Sequence, residues 1–185
     1  MNDSALTPPA PLSRAEPSAG RADRRLLRSW LSFALRLAVV CALGVALFTQ
    51  VIYVGRVSGN EMFPALKDGD LLVGFRLTGS LERDDVVVYR QDSAVRVSRV
   101  VAAAGDRVSI TEGGEVLVNG AVQTGEILYP TEPGDALEYP YTVPDGCVFL
   151  LGDQRTDSED SRSFGAVECA EVEAKVVTLL RRRGI

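Results

Sequence analysis

The sequence predicts a mainly β protein: one N-terminal transmembrane helix followed by an all-β domain of curled antiparallel sheets. Three observations carry that prediction. An uncharged, apolar run over residues 37–54 follows a cluster of arginines. Beyond it, short β-prone runs alternate with turn signals. No stretch after residue 56 shows the 3.6-residue period of an amphipathic helix.

Residues 1–20 are rich in Pro, Ser and Ala without periodicity and read as a disordered tail. Arg21, Arg24, Arg25 and Arg28 follow, so residues 1–29 form a basic tail and residues 30–55 the transmembrane helix. As a helix, residues 37–54 reach about 27 Å, close to the hydrocarbon thickness of a bilayer. Thr49 and Gln50 are its clearly polar members. A buried helix of a soluble domain is the alternative, but the run is long and uniformly apolar for that. A cleavable leader needs a shorter apolar core and a small-x-small site after it, and Gln50-Val51-Ile52-Tyr53-Val54-Gly55-Arg56 offers none. The reading is a retained, single-pass anchor in the cell membrane. With the arginines before it, the N-terminus is expected in the cytoplasm and residues 56–185 outside.

Strands are expected at 71–73, 85–89, 94–103, 107–110, 115–118, 148–151 and 174–180. Turns are expected at Gly69-Asp70, Gly113-Gly114, Asn119-Gly120, Pro133-Gly134 and Asp145-Gly146. Asn119-Gly120 is a strong hairpin signal, because both positions of a type I′ turn need positive φ. No internal repeat of fixed length is present.

Hydrophobic residues make up 46% and charged residues 24% of the chain, which suits a folded domain. The net charge of −5 hides an asymmetry: residues 1–36 hold six Arg against Asp3, Glu16 and Asp23, whereas the remainder is strongly acidic. An acidic outer domain excludes nucleic acid as a partner, since phosphate contacts need clustered Lys and Arg. The chain has no His, which removes His-based triads and most catalytic zinc sites. Its three Cys form no C-x-x-C pair, so no metal and no other cofactor is expected.

Three segments carry chemistry in the right order. The first is Val57-Ser58-Gly59-Asn60-Glu61-Met62-Phe63-Pro64-Ala65-Leu66, with Gly69-Asp70 shortly after. The second is Ser98-Arg99-Val100-Val101-Ala102-Ala103-Ala104-Gly105-Asp106. The third is Val143-Pro144-Asp145-Gly146, then Gly152-Asp153-Gln154-Arg155-Thr156-Asp157-Ser158-Glu159-Asp160-Ser161-Arg162-Ser163-Phe164-Gly165. In order and spacing these resemble the type I signal peptidase family, whose patterns are G-x-S-M-x-P-T-L, K-R-V-x-G-x-P-G-D, and V-P-x-G followed by G-D-N-R-x-x-S-x-D-S-R-x-x-G. Anchor and motifs together cover nearly everything from residue 37 on.

The resemblance implies a signal-peptidase-like β domain and a serine endopeptidase that removes signal peptides at the outer membrane face with a Ser nucleophile and a Lys base. A Ser hydroxyl needs a base to take its proton, and a Lys can be that base only when burial keeps it neutral. In this chain the nucleophile position is Glu61 and the base position is Ser98. Arg99, adjacent, cannot deprotonate. The two lysines, Lys67 and Lys175, fall in a turn and in the last strand, away from the base position. Taking Ser58 as nucleophile would require a register that Met62 and Pro64 oppose. A carboxylate pair of Glu61 with Asp153 or Asp160 is a further alternative.

The expectation is therefore a relative that keeps the scaffold and lacks the dyad. It would bind extended segments of exported or surface proteins through Gly59, Asn60, Met62 and Pro64, beside the lipid bilayer. Gly152, Asp153, Arg155, Ser158, Asp160, Ser161 and Arg162 would form the structural motif. The resemblance further implies that Asp160 pairs with Arg162 and that Ser158 approaches the base position. Chains of this kind that lack the dyad are similar to assembly factors of sortase-built pili; an active signal peptidase is the alternative. Outside the membrane, Cys147 and Cys169 either bridge as a disulfide across neighbouring strands or stay as two free, buried thiols.

Overall fold

The computed structural model describes residues 19–77, 79–125, 127 and 129–181, with side chains from residue 26 on. The chain divides into two units, Met1–Val45 and Ala46–Ile185. Helix α1 runs over Ala19–Val51. Its segment Leu26–Val51 is long and apolar enough to cross a bilayer.

The helix differs from the expected anchor at both ends. It starts at Ala19, so the part of the expected 1–29 tail that lies in 19–29 is helical; residues 1–18 lie outside the described residues. Ala, Leu and Arg, eight of the eleven residues in that stretch, are good helix formers and extend the apolar helix without a break. At the other end the helix stops at Val51, and Ile52–Arg56 is strand β1 rather than the last turn of the anchor. Ile, Tyr and Val favour the extended backbone, and β1 finds a partner in β2, Leu71–Phe75, with Val54 opposite Val73.

The expected strands form: β4 (Ala94–Ala103) and β5 (Arg107–Ile110) at the expected bounds, and β2, β3 (Val86–Gln91) and β6 (Val116–Val118) at shifted ones. Four strands went unpredicted. Beside β1 these are β7 (Ala121–Val122), β8 (Tyr141–Thr142) and β10 (Val167–Glu168), two residues each and too short to show alternation. The chain continues with β9 (Cys147–Leu151) and ends on β11 (Val172–Leu180). The hairpin signal holds: Asn119 and Gly120 have φ of 53° and 82° and join β6 to β7. One short helix, α2 (Ser161–Phe164), also escaped the reading, since four residues show no period.

Among the described residues the strands make two sheets. A seven-stranded sheet has the order β1-β2-β11-β3-β4-β9-β10, and a four-stranded sheet the order β7-β6-β5-β8, with every pairing antiparallel. Register shifts in β4 against β9 and in β11 against both neighbours add the twist that curls the larger sheet. Its two faces are both covered. Val87, Tyr89, Val100, Val148 and Leu150 fill one cluster, and Val57, Met62, Leu66, Leu72 and Val88 another. A third, with Val101, Val108, Val118, Phe149 and Leu151, joins β4 and β9 to the smaller sheet.

Cys147 and Cys169 are free. The register gives the reason. Cys147 stands opposite Glu168, while the Cys169 N–H donates to the carbonyl of Gly146 at 2.8 Å. Neighbouring positions on a strand point to opposite faces, so the two thiols are displaced by one residue across the ladder. Alkylation of the denatured full chain is therefore expected to count three thiols without reductant and three with it. A gain of two thiols on reduction would show a bridge.

Candidate functional site

Glu61 lies in a tight turn that follows β1. Gly59, with φ of 88°, takes a backbone conformation that a side chain would strain, and its N–H donates to Asp68 Oδ1 at 3.0 Å. The Phe63 N–H then donates to the Asn60 carbonyl and the Leu66 N–H to that of Met62. Met62, 1% exposed, is driven into the core beside Leu72 and Val88, which fixes Glu61 one residue earlier. Met62 thus anchors the turn, and it also lines the groove beside Glu61. Pro64 lies apart from Glu61's groove: it lines a separate cleft of about 350 Å³ with Ala65, Arg99, Gln123, Asp153 and Arg155. Gly59 and Asn60 are exposed.

The third motif holds this turn from behind. The Gln154 N–H donates to the Glu61 carbonyl at 2.9 Å. Gly152 is required here for space: a Cβ on it would lie 2.5 Å from Ser158 Cβ and 2.7 Å from the Glu61 carbonyl oxygen. Asp160, fully buried, caps α2 by accepting from the Arg162 N–H, and its carboxylate also receives Arg162 Nε at 2.8 Å and Nη2 at 2.9 Å. The same carboxylate accepts from the Gly152 N–H at 3.0 Å and from Ser158 Oγ at 2.8 Å. Ser161 Oγ accepts from the Leu150 N–H. Asp153 takes a two-pronged pair from Arg99 at 2.8 and 2.7 Å. Arg155, 2% exposed, donates to the Gly152 carbonyl, Thr131 Oγ1 and Gln123 Oε1. Burial pulls its guanidinium down to about 10, which leaves it charged at neutral pH. Gly152, Arg155, Ser158, Asp160 and Arg162 are linked in one network with the implied Asp160–Arg162 pair in place, while Ser161 holds Leu150 and Asp153 holds Arg99. The Ser158 hydroxyl is engaged with Asp160 and Arg162.

Ser98 lies on β4, with no exposed surface, and its hydroxyl is 3.3 Å from the Tyr89 hydroxyl. Burial pushes the Tyr89 phenol up to about 12, so it stays protonated and offers no base. Two residues earlier on the strand, Arg96 shares the face of Ser98. Its Nη1 donates to Glu61 Oε1 at 3.2 Å and its Nη2 to Glu159 Oε2 at 2.5 Å. Arg96, Tyr89 and Glu159 were missed in the sequence. The signal was present: a charged residue two places from Ser98 on a strand must share its side of the sheet. Glu61 is paired with Arg96 of its own chain. Each of the three carboxylates weighed for an acid pair has its own arginine: Glu61 has Arg96, Asp153 has Arg99 and Asp160 has Arg162.

The edge of β4 is half committed. It pairs with β3 from Ala94 to Arg99, but with β9 only from Arg99 onward. Residues 94–98 thus present backbone groups on one side that no described strand takes up. A groove of about 430 Å³ lies there, lined by Tyr53, Val57, Ser58, Glu61, Arg96 and Val97 among others. Such an edge accepts an extended chain through main-chain hydrogen bonds.

The Glu61 carboxyl is pushed above its ordinary range by burial, with Arg96 pulling it down and Asp160, Glu159 and Asp157 pushing it up. An acid raised in the folded state favours its neutral form there. Stability is therefore lost as pH rises from the ordinary carboxylate value to the raised one, and is level outside that window. Thermal unfolding of the full chain in detergent is expected to show Glu61→Gln gaining on the wild type across that window and holding a constant offset above it. An offset independent of pH would contradict the assignment.

Comparisons with known proteins agree on the family. The family described as signal peptidase, peptidase S26, matches residues 28–180. Signal peptidase I of Bacillus caldolyticus is 32% identical over 165 residues, covering 80% of this chain and 87% of that protein. Signal peptidase I of Leptolyngbya laminosa is 30% identical over 174 residues, covering 87% of this chain and 81% of that protein. The crystal structure of a signal peptidase I from Enterococcus faecalis aligns with a TM-score of 0.47 and 25% identity, over 54% of this chain and 98% of that one. With its apolar N-terminal helix, its curled antiparallel sheets and its three motifs in order, this chain belongs to the signal peptidase S26 family.

Proposed function

We propose that the chain is held in the cell membrane by α1, with its N-terminus in the cytoplasm and its β domain outside. There it binds extended segments of exported or surface proteins along the open edge of β4 and does not cut them. One observation carries the reading. Where the family dyad belongs stand Glu61, ion-paired with Arg96, and Ser98, sealed against Tyr89. No lysine stands in: Lys67 is exposed beside the Phe63 ring, and Lys175 pairs with Asp85 at 2.7 Å. A carboxylate already paired with a cation is a poor nucleophile, and a buried serine supplies no base. Binding needs neither group, because strand addition draws on main-chain hydrogen bonds. By its likeness to dyad-less relatives, the role is that of an assembly factor for sortase-built pili.

A second reading, an active signal peptidase, is favoured by the names of its relatives. The two part on cleavage. The full chain in detergent is expected to leave a preprotein substrate intact while a signal peptidase control processes it. Time-dependent cutting at the small-x-small site would establish the second reading. In cells, deletion of the gene is expected to abolish assembly of a surface polymer that a cleavage-negative control strain still assembles; normal assembly of every polymer would end the assembly role.

For topology, the arginines before α1 favour a cytoplasmic N-terminus. Protease added to intact spheroplasts is expected to remove the β domain. A protected β domain would reverse the orientation, and a soluble, shortened chain in the medium would make α1 a cleaved leader.

A further inference from the structure

The groove on the β4 edge has an unusual floor. Ala94, Arg96 and Ser98 share one face of the strand. On the neighbouring β3, Tyr89 stands opposite Arg96 and Val87 opposite Ser98. Of these side chains, Ser98, Tyr89 and Val87 have no exposed surface. Arg96 lines the groove, and its guanidinium is tied to Glu61 on one side and Glu159 on the other. Its Nε is buried without a partner.

We propose that Arg96 is the specificity-determining residue of the groove: pinned between Glu61 and Glu159, it seals off the space beneath the β4 edge. The inference rests on the proposed binding role and names the class of segment bound. The family resemblance leads one to expect shallow pockets that take small side chains. At Arg96 a bound segment meets a charged floor, a guanidinium tied to two carboxylates, while Tyr53, Val57, Met62 and Val97 line the groove around it. Inserting a small apolar side chain into that floor would strip water from an ion pair and return no hydrogen bond. The segment is held by its extended backbone, and its side chains at this point are directed away from the floor, so their size is not read. Position 98 is unreachable as well: a base restored there would sit beneath Arg96, beside a second cation. Loss of the dyad and closure of its space are separate changes, and reversing the first leaves the second in place.

The test reads the seal without any peptide. Ser98→Cys is introduced into the full chain in detergent, and labelling by a neutral methanethiosulfonate is followed site by site by peptide mass spectrometry. Exposed Cys169 serves as the internal fast standard. The introduced thiol is expected to react at least about tenfold more slowly than Cys169, and adding Arg96→Ala should bring it to within about threefold. Should the Arg96→Ala protein fail to fold by circular dichroism, Glu61→Gln with Glu159→Gln frees the guanidinium without removing it and is expected to speed labelling likewise. Fast labelling with Arg96 in place, or slow labelling after its removal or release, overturns the proposal. Binding is scored separately with extended peptides carrying Ala or Leu at alternate positions. Equal affinity for the two supports the charged floor, and a strong preference for Ala overturns it. Binding of neither peptide while the labelling result stands would defeat the binding role and leave the seal intact.

Discussion

One buried carboxylate organises the site. Asp160 has no exposed surface, yet it holds the cap of α2, both arms of Arg162, the Ser158 hydroxyl and the Gly152 N–H. Removing one partner of such a pair leaves an uncompensated buried charge, at a cost of about 3–5 kcal/mol. Through Gly152 the same carboxylate sets where β9 ends, and where β9 ends decides how much of β4 is left unpaired. Two residues after Gly152, the Gln154 N–H holds the Glu61 carbonyl of the turn in front. The groove is thus a by-product of where Asp160 pins the chain.

The ion pairs in front of and behind the groove differ in weight for the same reason. Arg96 and its two carboxylates are partly exposed, with Glu159 at 60%. Pairs of that kind contribute roughly 0–1 kcal/mol each, because water screens them and long side chains lose freedom. The fold does not rest on them, which leaves positions 61, 96 and 159 open to change while the Asp160 network is not. That asymmetry is consistent with a third motif that matches its family pattern closely and with first and second motifs that depart from it.

Much of this was legible in the chain itself. The apolar run, the strands with clear alternation and the Asn119-Gly120 hairpin were readable because each rests on local backbone preference. The Asp160–Arg162 pair within the Gly152 to Arg162 motif was implied by the family resemblance. What escaped depended on distant partners. Strand β1 looks like the end of a helix until β2 supplies hydrogen bonds, and two-residue strands such as β8 exist only because β5 is there to receive them. The Arg96 bridge joins residues 61, 96 and 159, three segments that only tertiary structure brings together. The alternation of β4 placed Arg96 on the face of Ser98, but not within reach of Glu61. The thiols at Cys147 and Cys169 turned on a register shift of one residue, which sequence cannot set.

The uncommitted edge of β4 bears on self-association as well. Unpaired backbone groups on a strand invite a second copy to add itself, and proteins blunt such edges with charge. Were two copies to pair antiparallel about the middle of residues 94–98, their Arg96 side chains would stand directly opposite one another. Like charges in that position are repulsive. The same guanidinium that lines the groove therefore discourages homotypic stitching.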